Sequence, residues 1–284
     1  MNAWDISGKH VLITGASAGI GKAAARELAD RGALITLAGR SAEKTRRIVD
    51  EINNNGGSAG FLQIDLSSPD SVRTAGREYL ARGEPLHVLI NNAGVGGTRG
   101  VTAEGFEIAF ATNHLGHHLL TRWIEPLLID SAPARLVIVS SSVHHNVKKI
   151  KWRRLRKRTS SPLGNPEYRV SKLANLLDAR RWTERLAGTG VDVHTVHPGL
   201  VASEIWRDLP GPLQRMFANK GMSIEEGADT PVWAASDPEL EGTSGGFYGK
   251  RSTRSISDLA ADKDLADEMW ERTEAWLADW LPPE

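Results

Sequence analysis

The sequence predicts a single α/β domain of the Rossmann type, a doubly wound and mostly parallel seven-stranded sheet with helices on both faces. Three observations carry this expectation. Short β-branched runs alternate with longer helical stretches along all 284 residues, the order of a parallel sheet joined by crossover helices. Runs such as Val11-Leu12-Ile13 and Leu136-Val137-Ile138-Val139 are continuously apolar, as strands covered on both faces are. A glycine-rich turn, Thr14 to Gly21, separates the first strand from the first helix.

Taken in order, strands are predicted at His10–Thr14, Leu34–Ala38, Gly60–Ile64, Leu86–Ile90, Arg135–Ser140, Val191–Val196 and Gly246–Tyr248. Helical periodicity with few breakers fills Gly19–Arg31, Ala42–Asn53, Pro69–Ala81, Thr102–Ile129 and Glu167–Leu186. Leu265, Met269, Trp276 and Trp280 recur at helical spacing, so the C-terminal stretch reads as a helix docked on the core or on a second subunit. No linker divides the series, and one domain over residues 1–284 is expected. Two insertions interrupt it. One, at about 143–165, contains Lys148–Arg158, with eight basic residues in eleven and no acid. The other, about 200–225, is rich in Pro, Gly and large apolar residues and is a candidate substrate loop.

Composition excludes several classes. With 40% hydrophobic and 25% charged residues the chain is neither a disordered tail nor a membrane protein. Lys plus Arg equals Asp plus Glu at 35 each, which argues against a generally basic nucleic-acid binder. The absence of cysteine removes disulfides, thiolate metal sites and thiol nucleophiles. Met1–Asp5 shows no signal pattern, and no apolar run approaches bilayer length. A cytoplasmic protein, without membrane or nucleic-acid partners, is expected.

In the turn Thr14-Gly15-Ala16-Ser17-Ala18-Gly19-Ile20-Gly21, glycines allow a pyrophosphate to approach the backbone, and the following helix offers unpaired N–H groups. The spacing TGxxxGxG resembles the short-chain dehydrogenase/reductase family. Further motifs extend the resemblance over nearly the whole chain: Asn91-Asn92-Ala93-Gly94 for NNAG, Asn113 in ATNHLGHHLLT, Ser141 at the end of the fifth strand, Tyr168 and Lys172 for YxxxK, and His197-Pro198-Gly199 after the sixth. The wording NHLGHHLLT, YRVSKLANLL and VHPGLVASE is most similar to the retinol-dehydrogenase-like reductases of that family.

The resemblance implies hydride transfer between a nicotinamide cofactor and a carbonyl or alcohol, with Tyr168 as general acid/base. Tyr168 and Lys172, four apart on a helix, share a face. A nearby cation lowers a phenol's pKa, and Lys172 with the oxidised nicotinamide ring would supply it. The family gives Lys172 the nicotinamide ribose as well. Ser141 would donate to the substrate oxygen, and Asn113 would hold a water in a relay to Lys172. Gly15, Ser17, Ala18, Gly19, Ile20 and Gly21 would line the phosphate cradle. By the same resemblance, Asp65 and Leu66 border the adenine, Asn91 its ribose, and Ala93 and Gly94 the floor. Pro198, Gly199, Val201 and Ser203 meet the carboxamide side.

Gly39 stands where an acid would select NAD, and Arg40 follows. An arginine fork suits a 2′-phosphate, so NADP(H) is the expected cofactor. His114, His117, His118, His144 and His145 lack a carboxylate partner at metal-site spacing; they read as structural or pocket-lining, with no metal expected. Leu200, Trp206, Leu209, Leu213, Met216, Phe217 and Met222 suit a lipophilic substrate. They equally suit a loop packed on the core. The basic run reads either as a solvated, mobile arm or as an attractor for an anionic substrate or acidic carrier. The small-molecule substrate is therefore a carbonyl or alcohol, lipophilic or carrier-tethered, and the chain a monomer or homo-oligomer. The alternative function is an NADP-binding redox-sensing regulator without turnover. Such proteins usually lose the Tyr or Lys, and this sequence keeps both.

Overall fold

The computed structural model describes residues 4–201 and 221–283. Eight strands join one sheet in the order β3-β2-β1-β4-β5-β6-β7-β8. They are β1 (His10–Thr14), β2 (Leu34–Gly39), β3 (Ser58–Gln63), β4 (Val88–Asn91), β5 (Ala134–Val139), β6 (Val191–Val196), β7 (Gly246–Gly249) and β8 (Ser252–Thr253). All neighbours are parallel except β7 and β8. The count therefore exceeds the expected seven by one. The extra strand is a two-residue antiparallel return made possible by Lys250 and Arg251, which both take positive φ (54° and 53°) and reverse the chain.

The continuous apolar runs divide by parity. Val11 and Ile13 of β1 face one core cluster, and Leu12 faces the other. In β5, Leu136 and Ile138 oppose Val137 and Val139 in the same way, as the period-2 alternation of a strand requires. Helices α1 (Gly19–Asp30), α2 (Ala42–Asn54) and α8 (Ile224–Ser236) cover one face through Leu28, Ile48, Ile52 and Val232. Helices α3 (Pro69–Ala81), α5 (Gly116–Asp130), α7 (Asn165–Arg185) and α10 (Lys263–Leu277), the last preceded by the short α9 (Asp258–Ala261), cover the other through Val72, Leu119, Leu173 and Met269. Each such side chain, fully buried, contributes roughly 1.5–3 kcal/mol.

The segment predicted as one helix from Thr102 begins only at Ile108. Before it, the Gly105 N–H donates to the Thr102 carbonyl at 3.0 Å, and Gly105 takes φ +85°, a turn no helix tolerates. A short α4 (Ile108–Phe110) then passes through a wide π turn, Ala111–Leu115, into α5. Such turns break the regular ladder and are frequent at functional positions. Asn113 sits inside this one.

The basic insertion is a fastened arm rather than a free one. It holds the short helix α6 (Trp152–Leu155). Leu155 is buried, its carbonyl accepts the Glu107 N–H at 2.9 Å, and Ile150 and Trp152 pack on the core. At the opposite edge of the sheet, β3 has its outward backbone occupied by side chains. Asn53 brackets Ala59, donating to its carbonyl (3.1 Å) and accepting its N–H (2.7 Å). Arg82 donates to the Phe61 carbonyl at 3.0 Å.

Candidate active site

Strand order reverses between β1 and β4, and in open parallel sheets ligands bind beyond the strand ends at such a switch point. Here the two strand ends are laced together. The Thr14 hydroxyl accepts the N–H groups of Asn92 (2.9 Å) and Ala93 (3.0 Å). It also lies 2.8 Å from His117 Nε2. His117 Nδ1 is 3.0 Å from the Asn113 carbonyl, which can only accept, so Nδ1 carries the proton. Burial pushes His117 down to about 3. The ring is thus neutral, and Nε2 accepts the Thr14 O–H.

The cleft that opens there measures about 580 Å³. Its wall includes Gly15, Ser17, Ala18, Gly19, Ile20 and Gly21, then Arg40, Asp65, Leu66, Ala93 and Gly94, all expected from the sequence. A dinucleotide fits the construction of this wall on two structural grounds. Gly15 has φ +69°, and a Cβ on it would fall 2.8 Å from Ala93 Cα; the floor is as close as bare backbone allows. The first turn of α1 has no side-chain cap at Ala18, whereas Ser41, Ser68 and Ser223 cap α2, α3 and α8. Its N–H groups are left for an anion.

Two residues that sequence reasoning missed lie beside Arg40: Ser41 and Lys44. Neither Arg40 nor Lys44 makes an ion pair among the described residues. Lys44 lies in the first turn of α2, four positions past Arg40, and that spacing could have signalled it. Asn91 departs from expectation. As the last residue of β4 it points inward, donating to Thr121 Oγ1 at 3.0 Å. Asn92 lines the cleft instead, because consecutive residues at a strand end face opposite ways. Tyr168, Lys172, Pro198, Gly199 and Val201 are not part of this wall. Val201 reaches it indirectly, meeting Ile20 across Gly227. Ser203 lies outside the described residues, as do Trp206, Leu209, Leu213, Met216 and Phe217.

Beside the Gly94 floor, β5 and α7 bring Ser141, Tyr168 and Lys172 together. Ser141 leaves β5 in extended conformation, and its hydroxyl hydrogen-bonds the Tyr168 phenol. The Ser140 hydroxyl donates to the Lys172 carbonyl at 2.7 Å, fixing α7 against β5. One turn beyond Tyr168, Lys172 Nζ donates to the Val139 carbonyl at 2.9 Å and lies 5.9 Å from the Tyr168 ring. A Cβ on Gly94 would stand 3.7 Å from Nζ, so the ammonium borders the cleft. All three side chains are buried. Burial pushes the Tyr168 phenol up, only partly offset by the Ser141 hydrogen bond. Burial also brings Lys172 down to about 8. The lowering expected of Tyr168 is assigned to Lys172 together with the nicotinamide ring; in the chain alone, desolvation dominates and Lys172 Nζ is turned towards Val139.

Asn113 is fixed in place by its side-chain amide. Oδ1 accepts the Val95 N–H at 2.8 Å, and Nδ2 donates to the Val95 carbonyl (3.0 Å) and Ser171 Oγ (2.9 Å). The five clustered histidines are likewise engaged. His144 donates from Nδ1 to the Ser141 carbonyl at 2.7 Å, and its Nε2 accepts the Ser257 N–H at 3.1 Å. His114 meets Thr273 at 3.0 Å, and His118 lies between Asp178 and Glu274. His145 stacks against His144.

A doubly wound sheet, a glycine turn with an open helix start, and a buried Tyr–Ser–Lys cluster beside it define a dinucleotide-dependent oxidoreductase. The model of the short chain dehydrogenase family matches residues 9–152. Retinol dehydrogenase 12 of Mus musculus is 42% identical over 93% of this chain and 85% of the relative. Retinol dehydrogenase 11 of Homo sapiens is 38% identical over 94% and 85%. The crystal structure of an uncharacterised protein from Mycobacterium paratuberculosis superposes with a TM-score of 0.77 at 30% identity, covering 98% of this chain and 97% of that one. The chain belongs to the short-chain dehydrogenase/reductase family and is an NAD(P)-dependent oxidoreductase.

Proposed function

We propose that the protein uses NADP(H) to interconvert a lipophilic ketone or aldehyde with its alcohol, Tyr168 acting as the proton donor and acceptor. The carrying observation is the Tyr168 phenol hydrogen-bonded to Ser141, with Lys172 one turn on and bordering the dinucleotide cleft. Burial holds the phenol protonated, the form that a donor to a developing alkoxide needs. The Ser141 hydroxyl is placed to hydrogen-bond the same substrate oxygen and favour its charge. Lys172 provides positive charge beside the ribose end of the site, and Asn113 keeps the loop at Val95 in register with α7. When bound, the nicotinamide supplies the hydride that the carbonyl carbon accepts, or takes it back in the reverse direction. Arg40 and Lys44, without a carboxylate partner among the described residues, support the choice of the 2′-phosphate form.

The substrate class rests on the relatives named retinol dehydrogenases and on the apolar content of the 200–225 segment. A cytoplasmic setting is part of the same reading; among the described residues no helix is long and apolar enough to cross a membrane. The test is NADPH oxidation with a panel of ketones and aldehydes that includes retinal. Tyr168→Phe lowers kcat by roughly 10²–10⁴-fold while NADPH binding, read by cofactor fluorescence, persists. A Tyr168→Phe enzyme that is folded and retains most of its turnover refutes the acid/base assignment. Cofactor binding without turnover on any carbonyl would favour the regulatory reading.

A further inference from the structure

The basic arm takes no part in the reaction just described, yet it is mounted with care. All eight cationic side chains of Lys148–Arg158 are exposed, and none forms an ion pair among the described residues. Elsewhere exposed arginines do pair, as Arg26 does with Glu51 and Arg251 with Asp229. Like charges three and four apart repel, and no ion pair among the described residues offsets that repulsion. The frame beneath is nevertheless fixed. Leu155 and Thr159 are buried, Thr159 donates to Gly100 O at 3.1 Å and receives the Gly100 N–H at 3.0 Å, and the Arg156 guanidinium lies 4.1 Å from the Phe106 ring.

Two clefts adjoin on this frame. The first, of about 450 Å³, is lined by Lys151, Arg153, Arg154, Lys157, Arg158 and Ser160: five cations, one hydroxyl, and neither an acid nor an apolar side chain. The second, of about 190 Å³, shares Lys151 and Arg154 with it, has an apolar floor of Val147, Leu155, Pro166 and Val170, and is also lined by Asn146, Lys148, Lys149 and Arg169. Its acidic member, Glu167, is already consumed. The carboxylate accepts Ser160 N (3.1 Å), Ser160 Oγ (2.9 Å), Ser161 N (3.2 Å) and Ser161 Oγ. Pro166 and Val170 are each two positions from Tyr168, roughly 200° around the helix. The paired clefts therefore open on the side of α7 turned away from the reacting phenol, separate from the dinucleotide cleft, with which they share no lining residue.

We propose that the two clefts form one binding site for a phosphate-bearing amphiphile. Its phosphate lies among the five cations, and its apolar chain lies along Val147, Leu155, Pro166 and Val170. Guanidinium forks match phosphate oxygens in pairs, and an apolar floor sharing a wall with an all-cationic hollow matches a molecule that is charged at one end only. Nucleic acid fits less well. The arm's aromatic, Trp152, is engaged with Trp276 at 6.4 Å and under Arg272 at 4.7 Å, leaving no stacking platform. The expectation of no membrane partner rested on the lack of a spanning apolar run, which does not bear on headgroup binding.

The experiment is calorimetric titration of the full chain with dihexanoyl phosphatidic acid, kept below its micelle-forming concentration, and with inorganic tripolyphosphate. Saturable binding of the phosphatidic acid is expected, with none of dihexanoyl phosphatidylcholine. Lys151→Glu and Arg154→Glu, exposed substitutions whose folding is checked by thermal melting, each weaken it at least about tenfold, since each reverses a charge at the phosphate. Val170→Asn weakens the amphiphile but not tripolyphosphate. Arg40→Glu, in the other cleft, leaves binding of the amphiphile unchanged. Cosedimentation with vesicles of phosphatidylcholine containing phosphatidic acid, in addition to monomer binding, identifies the source as a bilayer headgroup; monomer binding alone identifies a free amphiphile. The proposal is overturned by absence of saturable monomer binding, by loss of binding in Arg40→Glu, or by a DNA duplex binding as tightly as the amphiphile through the same cations.

Discussion

His118 gives the protein a pH-dependent stability that can be worked out from its surroundings. The ring is wholly buried, with Nδ1 2.8 Å from Asp178 Oδ1 and Nε2 2.6 Å from Glu274 Oε1. Burial alone would discharge it. The attraction and hydrogen bonds of Asp178 and Glu274 overcome that and push it up to about 9. Trp182 Nε1 holds the other oxygen of Asp178 at 3.0 Å, and Arg122 Nε meets Glu274 at 3.0 Å, so α5, α7 and α10 meet at one imidazolium. Between pH 6.5 and about 9 the folded chain keeps a proton that the unfolded chain has lost. Stability is therefore fully present below 6.5 and falls as pH rises through 9. The interval corresponds to about 3 kcal/mol at roughly 1.36 kcal/mol per tenfold ratio. Lys172, brought down to about 8, acts with the opposite sign at higher pH, since there the unfolded chain holds the extra proton. The clean quantity is thus the difference between the parent and His118→Gln. Urea unfolding followed by tryptophan fluorescence from pH 6 to 10 measures it. That difference shrinks by about 3 kcal/mol across the range; a pH-independent difference refutes a charged His118.

Two further outcomes are expected. Arg40→Asp moves cofactor preference towards NAD by about one to two decades in kcat/KM, the worth of a charged hydrogen bond at roughly 1.5–3 kcal/mol; an unchanged NADPH/NADH ratio removes Arg40 from the 2′-phosphate site. Gly21→Ala brings a Cβ within 2.4 Å of Asn92 Nδ2 and 2.7 Å of the Gly15 carbonyl. Because the second neighbour is backbone, the glycine turn opens, and dinucleotide affinity measured by fluorescence titration falls at least about tenfold.

The parts of the site written in local spacing were legible in the sequence. Gly15, Gly19 and Gly21 follow a strand and open a helix, and Tyr168 and Lys172 lie one turn apart; the joint occurrence of these spacings, through the family resemblance it carries, marked them. What depended on direction or on distant partners was not. Asn91 and Asn92 differ only in which way a strand end points, and a motif does not resolve that. The Asp178–His118–Glu274 cluster joins residues 60 and 156 positions apart, and no periodicity encodes such a meeting. The helix expected from Thr102 began late because the Gly105 turn interrupts a stretch that is otherwise helical in composition. Lys172 shows the same limit electrostatically. Its spacing marked a cation near the phenol but not the burial of both groups, which depends on the whole fold and pushes the phenol up and the ammonium down.

The treatment of β3 has a consequence for the protein in concentrated solution. An outermost strand with free N–H and C=O groups is a template on which another chain can crystallise its own strand. Asn53 and Arg82 fill those positions at Ala59 and Phe61, while the far border stops at a two-residue strand. Each margin of the sheet thus offers another chain little unpaired backbone, which disfavours fibre-like growth by strand addition.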